Sequence, residues 1–502
     1  MDLTTDPGHC GACGEACGAQ ERCFEGTCVL DCGEQTACLL ACVDLASDPE
    51  HCGGCSRACD RGDACVGGVC SGPGDPIWES RYGDDAFQDG WDVAYDGAGN
   101  LLLTGAFVGT IDFGGGPLTA PYGGIVDSDV FVAKLGPNRE HLWSRRYGDE
   151  HDQTAFAIAS GPQEEVVVAG WFSGVTDFGL GPVTAQGQDA FVLKLDAGGE
   201  TSWLRSFGSG FSLQARDVVV APDGGVVFVG TARGEVDFGL GPTSGGSGDL
   251  AVVALDADGS TVWAQRFVGT DGVVPHGMAR DSEGNVLVIG GYHGDVQVGG
   301  EVLTSPGGWD DDNMFLIKLD PNGQPLWSRR FGDEGPMQVG RAVACDGNDD
   351  IIIAGGVSGT ADFGGGTLTA STFLDYDAFV AKLDPQGNHR WSYLVGNGGQ
   401  MIYTMAAHPD GTIAIAGSSE GRMSWPSGEL VSRGPFVAKL DTDGALRWAK
   451  GDPDGAGLAA GVAIGASGVV AATGSFSKTL TLGEDPMVCA GRSDVFVVEL
   501  TP

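Results

Sequence analysis

The chain has 502 residues and a formal net charge of −41 at pH 7, and hydrophobic residues make up 42% of it. This apolar content excludes a disordered chain, which lacks the residues that form a core. The charge excludes nucleic acid as a partner and argues against anionic membrane surfaces, because both would be repelled. Acidic turn residues that keep a β-protein soluble explain the charge, and an acidic partner-binding patch is the alternative.

Cysteines dominate the N-terminus, where thirteen of the fifteen in the chain precede residue 71. The spacing C-x2-C-x3-C-x5-C-x4-C occurs at 10–28 and again at 52–70. Three further cysteines precede the second copy, so a complete module has eight, which predicts four disulfides without fixing their connectivity. Zinc is the alternative, but so many cysteines per unit exceed one tetrahedral site. The cysteines expected in disulfides are Cys10, Cys13, Cys17, Cys23, Cys28, Cys32, Cys38, Cys42, Cys52, Cys55, Cys59, Cys65 and Cys70.

The cysteine spacing over residues 1–70 resembles the modules of stigma-specific-protein type, which also form stalks on bacterial surface proteins. Aligning the two copies places Met1 opposite Val43, so the first copy lacks three upstream cysteines. We therefore expect the natural protein to begin further upstream with a signal sequence, which the segment MDLTTDPGHC lacks. This predicts an extracellular or outer cell-surface location. No apolar run approaches the ~20 residues of a membrane span, so no membrane insertion is expected.

Beyond residue 76 the sequence repeats with a period of roughly 60 residues. Each unit holds an apolar strand such as DVFVAKL (129–135) and a strand pair such as DVAYDGAGNLLLTG (92–105). Seven such units predict an all-β fold, a seven-bladed propeller of four antiparallel strands per blade, which we name A to D in chain order. A tryptophan marks each D strand, where we expect the ring to wedge between blades. These tryptophans are Trp78, Trp143, Trp203, Trp263, Trp327, Trp391 and Trp448.

The two ends of the repeat region predict how the ring closes. The region begins with a D strand (77–83) and ends with a C strand (494–500), so the N-terminal strand must complete the last blade and protect its edge. The segments at 129–139 and 112–116 resemble the DxFVxKLdpxG and DFGGG patterns of the bacterial SBBP propeller repeat family, a resemblance that implies the fold and little about activity. The expected domains are a truncated cysteine-rich module (1–29), a complete module (30–70), a linker (71–76) and the propeller (77–502).

The connections between strands differ in length on the two faces of the predicted ring. The A–B and C–D turns are short, whereas the B–C connections run to about 20 residues and gather on the opposite face with the D–A connections. We call the latter the loop face and expect ligand contacts there from Tyr122, Trp309, Tyr376 and Trp425. The alternative is that each of these aromatic residues pins its own loop.

Three motifs suggest chemistry that the repeat explains better. GSSEG (417–421) matches a nucleophile elbow, but no helix follows, so Ser419 is not expected to be a nucleophile. WDDDN (309–313) and DGNDD (346–350) are candidate calcium sites, although hairpin turns explain most such segments. Lysines recur in strand C, and buried lysines need partners. Their expected partners are Asp112, Asp177, Asp237 and Asp362.

These features favour an extracellular binding or structural scaffold, with a monomeric propeller displayed on a disulfide-bridged stalk. Its ligand is expected to be a protein or a polysaccharide, and no catalytic, cofactor or firm metal residue emerges from the sequence. The alternative is a secreted glycan-acting hydrolase or lyase, which would require paired carboxylates in the funnel of the propeller.

Overall fold

The computed structural model describes the chain except for residues 1, 3, 8, 11, 13–15, 18–20, 26, 33–34, 39–40, 60–62, 67, 121–126, 209, 247, 306–312, 333–336, 373–374 and 484. All regular structure in the described residues is β-strand. No helix long and apolar enough to cross a membrane occurs among them. The chain divides into two compact units, Met1–Ile77 with Leu500–Pro502, and Trp78–Glu499.

The first unit consists of short hairpins held by disulfide bonds. Its strands are β1 (Glu21–Phe24), β2 (Thr27–Leu30), β3 (Thr36–Cys38), β4 (Ala41–Val43), β5 (Ala64–Val66) and β6 (Val69–Ser71), paired in sequence order. The six disulfides are Cys10–Cys23, Cys17–Cys28, Cys32–Cys42, Cys38–Cys55, Cys52–Cys65 and Cys59–Cys70. A disulfide-bonded N-terminal region is thereby confirmed, and the two repeated copies share their connectivity. Cys13 lies outside the described residues.

The propeller begins with β7 (Pro76–Tyr82), and each blade then contains strands A to D, with a small hairpin between B and C. Blade 1 comprises β8 (Gln88–Tyr95), β9 (Leu101–Phe107), β10 (Thr110–Ile111), β11 (Leu118–Thr119), β12 (Asp129–Leu135) and β13 (His141–Tyr147). Blade 2 comprises β14 (Gln153–Ser160), β15 (Val166–Phe172), β16 (Val175–Asp177), β17 (Pro182–Thr184), β18 (Asp189–Leu195) and β19 (Thr201–Phe207). Blade 3 comprises β20 (Leu213–Val220), β21 (Val226–Ala232), β22 (Val236–Asp237), β23 (Pro242–Thr243), β24 (Asp249–Leu255) and β25 (Thr261–Phe267).

The remaining four blades follow the same plan, except that one long hairpin replaces the small one in blade 6. Blade 4 comprises β26 (Val273–Arg280), β27 (Val286–Tyr292), β28 (Asp295–Val298), β29 (Glu301–Thr304), β30 (Asn313–Leu319) and β31 (Pro325–Phe331). Blade 5 comprises β32 (Gln338–Cys345), β33 (Ile351–Val357), β34 (Thr360–Asp362), β35 (Thr367–Thr369), β36 (Asp377–Leu383) and β37 (His389–Val395). Blade 6 comprises β38 (Gln400–Ala407), β39 (Ile413–Trp425), β40 (Gly428–Leu440) and β41 (Leu446–Gly451). Blade 7 comprises β42 (Gly457–Ile464), β43 (Val470–Phe476), β44 (Thr479–Leu480), β45 (Met487–Val488) and β46 (Asp494–Leu500).

The ring closes through the N-terminal strand, as the sequence predicts. The last sheet has the order β42-β43-β46-β7, so β7 is the D strand of blade 7. Each A strand contacts the A strand of the next blade, and β42 contacts β8. The A strands therefore enclose a central channel. The apolar side chains of the B and C strands are almost completely buried. They form hydrophobic clusters that extend from one blade to the next. The predicted seven-bladed all-β fold is confirmed.

The tryptophans of the D strands contact the following blade. The Trp203 indole N–H donates to the Ala257 carbonyl at 2.9 Å, and Trp143 makes the equivalent bond to Ala197. Gly259 packs directly against the Trp203 ring, where even a Cβ would lie 2.8 Å from Cδ2. A glycine is needed there for a second reason, because φ of Gly259 is +80°.

The strand-C lysines have partners other than those expected from the sequence. The Lys382 ammonium lies 2.7 Å from the Asp346 carboxylate in the A–B turn of its own blade, and it also donates to the Thr442 carbonyl of the next blade. The expected aspartates sit at the other end of the blade, because the B–C hairpin leaves strand B at the loop face. There each one accepts the backbone N–H groups two and four residues later. The predicted pairing with strand-C lysines is therefore wrong for Asp112, Asp177, Asp237 and Asp362.

At the boundary between blades 7 and 1, the strand-C position carries a negative charge in place of the positive charge of lysine. Glu499 occupies the strand-C position that lysine holds at Lys134, and it pairs with Arg139 in the C–D turn of blade 1. Tyr95 of blade 1 also donates its hydroxyl to Glu499. Arg139 has φ +68° and stands where blade 2 has Gly199. At the closing seam a carboxylate–guanidinium pair thus joins strand C of blade 7 to the C–D turn of blade 1.

Candidate functional site

Every A strand contains a β-bulge, and the residue that it adds faces the central channel. The pairing of strands A and B skips one residue in all seven blades. These residues lie at the fourth position of each A strand, and all seven line one cavity of about 250 Å³. We call them the bulge ring: Trp91, Phe156, Arg216, His276, Arg341, Tyr403 and Ala460.

Aromatic side chains flank a run of three basic residues in the bulge ring. Trp91 and Phe156 meet edge to face with centroids 5.5 Å apart, and the Arg216 guanidinium lies 4.6 Å from the Phe156 centroid. Across the ring, Arg341 stacks on Tyr403 at 5.6 Å and approaches His276 Nδ1 at 3.2 Å. Burial, with the charges of the two arginines, holds the pKa of His276 well below its usual range. His276 is therefore neutral, and the arginines supply the positive charge of the channel.

Two carboxyl groups beside the ring bind the backbone of neighbouring blades. Asp92 accepts the Ile158 N–H at 2.9 Å, and Asp217 accepts the Met278 N–H at 2.6 Å. Burial raises the pKa of Asp92 to about 8 and that of Asp217 to about 7. At neutral pH much of their negative charge is thus absent, since a buried carboxyl group retains its proton.

A larger cavity of about 770 Å³ opens on the loop face between blades 5, 6 and 7. We call it the loop-face cavity. Arg433 and Arg341 contribute positive charge to its lining, Asp375 and Glu420 contribute negative charge, and Tyr376 contributes an aromatic ring. Its other walls are mainly backbone and small side chains. Because Arg341 and Tyr403 line both cavities, the loop-face cavity meets the bulge ring at its floor.

Of the aromatic residues expected to contact a ligand, one lines the loop-face cavity and one lies in the hydrophobic core. Tyr376 lines the loop-face cavity, where its hydroxyl lies 3.0 Å from the Met337 sulfur. Trp425 is 5% exposed and belongs to the hydrophobic core of blade 6, which corresponds to the alternative that it pins its own hairpin. Tyr122 and Trp309 lie outside the described residues.

The motifs with a chemical interpretation have structural roles in the described chain. The Ser419 hydroxyl interacts with Gly421 backbone atoms at 3.2 Å and has no histidine among the residues that share its cavity. Asp346 and Asp350 of the calcium candidate pair with Lys382 and, for Asp350, also with an arginine. The candidate at 309–313 lies largely outside the described residues. The cysteines that lie close enough to suggest a metal site, at 10–28 and 52–70, are bonded in disulfides.

The sequence interpretation overlooked the bulge ring. When the seven A strands are aligned, the fourth position reads Trp, Phe, Arg, His, Arg, Tyr and Ala, whereas the flanking positions are mostly small or apolar. This variation at one repeat position is the signal that could have identified the ring.

Comparison with known proteins finds low sequence similarity, and no protein-family model matches the chain. The chain is 26% identical over 280 residues to "Regulatory protein FlaEY" of Caulobacter vibrioides, covering 54% of this chain and 27% of that protein. It is also 26% identical over 153 residues to the uncharacterized WD repeat-containing protein L264 of Acanthamoeba polyphaga mimivirus, covering 28% and 11%. The chain thus matches less than a third of the length of either relative.

Solved propellers resemble the chain at low identity. Sqt1 from Chaetomium thermophilum has a TM-score of 0.43 at 12% identity, covering 86% of this chain and 99% of that one. The Pan2 WD40 domain of Neurospora crassa has a TM-score of 0.36 at 14% identity, covering 69% and 89%. YCF48 bound to D1 peptide has a TM-score of 0.40 at 10% identity, covering 86% and 98%. None of these similarities assigns a ligand or an activity to this chain.

Proposed function

We propose that this protein is a binding scaffold that takes a peptide segment of a partner protein in the loop-face cavity. The observation that carries the proposal is the cavity itself, about 770 Å³ of open space where the loop connections of three blades meet. Cavities of this size accommodate ligands and usually contain a few well-placed polar groups. A rigid ring of blades beneath variable loops supports such a role, because it fixes the positions of the contacting side chains.

The chemistry of the lining favours a peptide over a neutral glycan. Arg433 is exposed on one strand of the blade 6 hairpin, and Glu420 is exposed on the opposite strand, where the two are directly paired in the sheet. Asp375 and Tyr376 face them from blade 5. Groups of both charges can pair with the mixed charges of a peptide, while Tyr376 offers a flat apolar surface.

The enzyme alternative receives less support from the same residues. The two buried carboxyl groups of the channel, Asp92 and Asp217, accept backbone N–H groups of the next blade, so they hold blades together. The Ser419 hydroxyl binds the backbone of its own turn. A binding role for the loop-face cavity requires no reaction from these residues.

We further propose that the protein is extracellular or displayed on the outer cell surface, with the cysteine-rich unit as a stalk and the propeller monomeric. Six disulfides within about 70 residues support this, since such bonds persist in oxidising compartments and stabilise small units with little core. The resemblance to stalk modules of stigma-specific-protein type and to SBBP repeats supports the same location. Alkylation of the native protein without reduction should label few thiols, Cys345 and Cys489 among them, and labelling of most cysteines would contradict secretion.

The binding function can be tested with the full-length chain on a peptide array and a glycan array. We expect saturable binding to peptides that contain both acidic and basic residues. For the best peptide, Glu420→Gln and Arg433→Gln should each weaken affinity at least about fivefold, the effect of a hydrogen bond to a charged group. Asp443→Asn is the matched control, because Asp443 is exposed in a C–D turn on the opposite face.

Each outcome of the arrays bears on the proposal. Peptide binding that both cavity variants leave unchanged would place the ligand elsewhere and contradict the assignment to this cavity. Saturable binding to glycans alone would replace a peptide by a polysaccharide. Binding to neither array would overturn the scaffold proposal.

A further inference from the structure

The bulge ring concentrates positive charge in a protein whose net charge is −41. Arg216 and Arg341 both face the same cavity of about 250 Å³, close enough that the charge of Arg341 contributes to lowering the pKa of Arg216, after burial. Burial raises the pKa of Asp92 to about 8 and that of Asp217 to about 7, so near neutral pH these two carboxyl groups together carry less than their full negative charge. His276 is neutral for the reason given above. The cavity therefore has a net positive charge from two guanidinium groups.

Arg216 and Arg266 differ in their partners. Arg266 donates from Nε to the Asp249 carboxylate at 2.8 Å. In the described part of the chain Arg216 forms no ion pair with a carboxylate, and its buried Nε has no hydrogen-bond partner. Leaving a buried charged donor unsatisfied is costly, so this group is expected to meet an acceptor when the site is filled.

Beside Phe156, the buried Nε–H of Arg216 has no acceptor among the described residues, whereas Arg341 also bonds His276. Phe156 covers one face of the Arg216 guanidinium, and Tyr403 covers one face of Arg341. A guanidinium that is stacked by its face presents its N–H groups from the edge, which matches the two oxygens of a carboxylate. The indole N–H of Trp91 is also buried without a partner in the described residues, and it provides a further donor beside an aromatic wall.

We infer that the bulge ring binds a compact carboxylate, with the oxyanion held by Arg216 and Arg341 and the apolar body of the ligand packed against Trp91 and Phe156. The volume of about 250 Å³ limits the ligand to the space of roughly eight water molecules. A small aromatic acid or a short dicarboxylate fits this space, whereas a folded partner does not. The inference does not depend on the proposed function, because it concerns the channel below the loop-face cavity.

Benzoate and succinate serve as probes in calorimetric titrations of the full-length chain, with benzamide as the neutral counterpart of benzoate. We expect one saturable site for at least one of the two carboxylates and no binding of benzamide. Arg216→Gln and Arg341→Gln should each weaken the affinity at least about tenfold, because each removes a charge-assisted hydrogen bond. Arg205→Gln is the matched control, since Arg205 also stacks on an aromatic ring, that of Trp203, but lies on a D strand.

Folding of the variants is checked by far-UV circular dichroism, and Arg216→Lys retains the charge if the glutamine variant does not fold. The lysine variant should bind more weakly than the parent, because it loses the paired geometry of the guanidinium. Glu420→Gln should bind the probe like the parent, which separates this site from the loop-face cavity. Saturable binding of neither carboxylate, equal binding of benzamide, sulfate binding in place of the carboxylates, or unchanged affinity in both arginine variants would each overturn the inference.

Discussion

The packing of D-strand tryptophans such as Trp203 on a glycine of the next blade leads to a prediction for Gly259→Ala. The substitution places a Cβ 2.8 Å from Cδ2 and 3.0 Å from Cε3 of Trp203, so the ring must move. The residue also keeps φ near +80°, which is unfavourable for alanine. Adopting this backbone conformation costs about 1 kcal/mol, and overpacking a buried ring costs a further ~1–3 kcal/mol. We expect a total loss of about 2–4 kcal/mol in the free energy of unfolding.

Gly99→Ala separates the two contributions. Gly99 lies in an A–B turn with the same φ of +80°, but no heavy atom lies within 4 Å of the Cβ it would gain. This variant should therefore lose only the backbone contribution of about 1 kcal/mol. Urea unfolding followed by far-UV circular dichroism gives the free energy of unfolding for both variants.

A double-mutant cycle with Trp203→Ala tests whether the clash is the cause. Removing the ring alone should destabilise the protein, because Trp203 is buried and bonded to Ala257. In that background Gly259→Ala should cost about as much as Gly99→Ala, since no ring remains to displace. Equal losses for Gly259→Ala and Gly99→Ala in the parent, or additive effects in the cycle, would refute the packing argument.

Two further predictions concern buried charges. Native Asp92 holds a proton between its unfolded pKa near 4 and its folded pKa of about 8, so the parent should lose stability as pH rises through this interval. Asp92→Asn cannot titrate, and its loss of urea stability from pH 5 to pH 9 should be smaller by about 4 kcal/mol, whereas parallel pH profiles would contradict the assignment. Asp346→Asn should cost about 3 kcal/mol by leaving Lys382 with weaker partners. Adding Lys382→Met should recover part of that loss in thermal unfolding, and no recovery would argue against the buried pair.

The sequence is sufficient to predict the blades because each unit must bury the same apolar strands in the same way. Tryptophans such as Trp143 and Trp203 recur at one repeat position and mark the D strand. Because the repeat region begins with a D strand and ends with a C strand, the N-terminal strand must close the ring. The disulfide connectivity is not accessible in this way, because eight cysteines permit many pairings. Only the folded hairpins bring Cys38 and Cys55 together.

The candidate site is harder to predict, because a β-bulge changes the direction of one side chain without interrupting the apolar pattern. Arg216 reads in sequence as an ordinary strand residue, and only the skipped pairing between Ala215 and Asp217 turns it into the channel. The partner of Lys382 was also ambiguous, since aspartates repeat at both ends of the blade. In the folded blade, the end of strand C that carries Lys382 lies beside the A–B turn, so Lys382 pairs with Asp346 and not with Asp362.

The seam between blades 7 and 1 has a consequence for how a chain of similar units finds its correct closure. Any blade could in principle dock on any other, and a ring with a missing or exchanged blade would bury nearly the same surfaces. Glu499 fits opposite Arg139, but opposite a blade with Gly199 it would meet no cation at that position. Arg139 would likewise face a lysine if blade 2, 4, 5 or 6 closed on it, and Ala254 if blade 3 did. The Glu499–Arg139 pair thus favours docking of blade 7 on blade 1 over its docking on a blade that has no cation at that position.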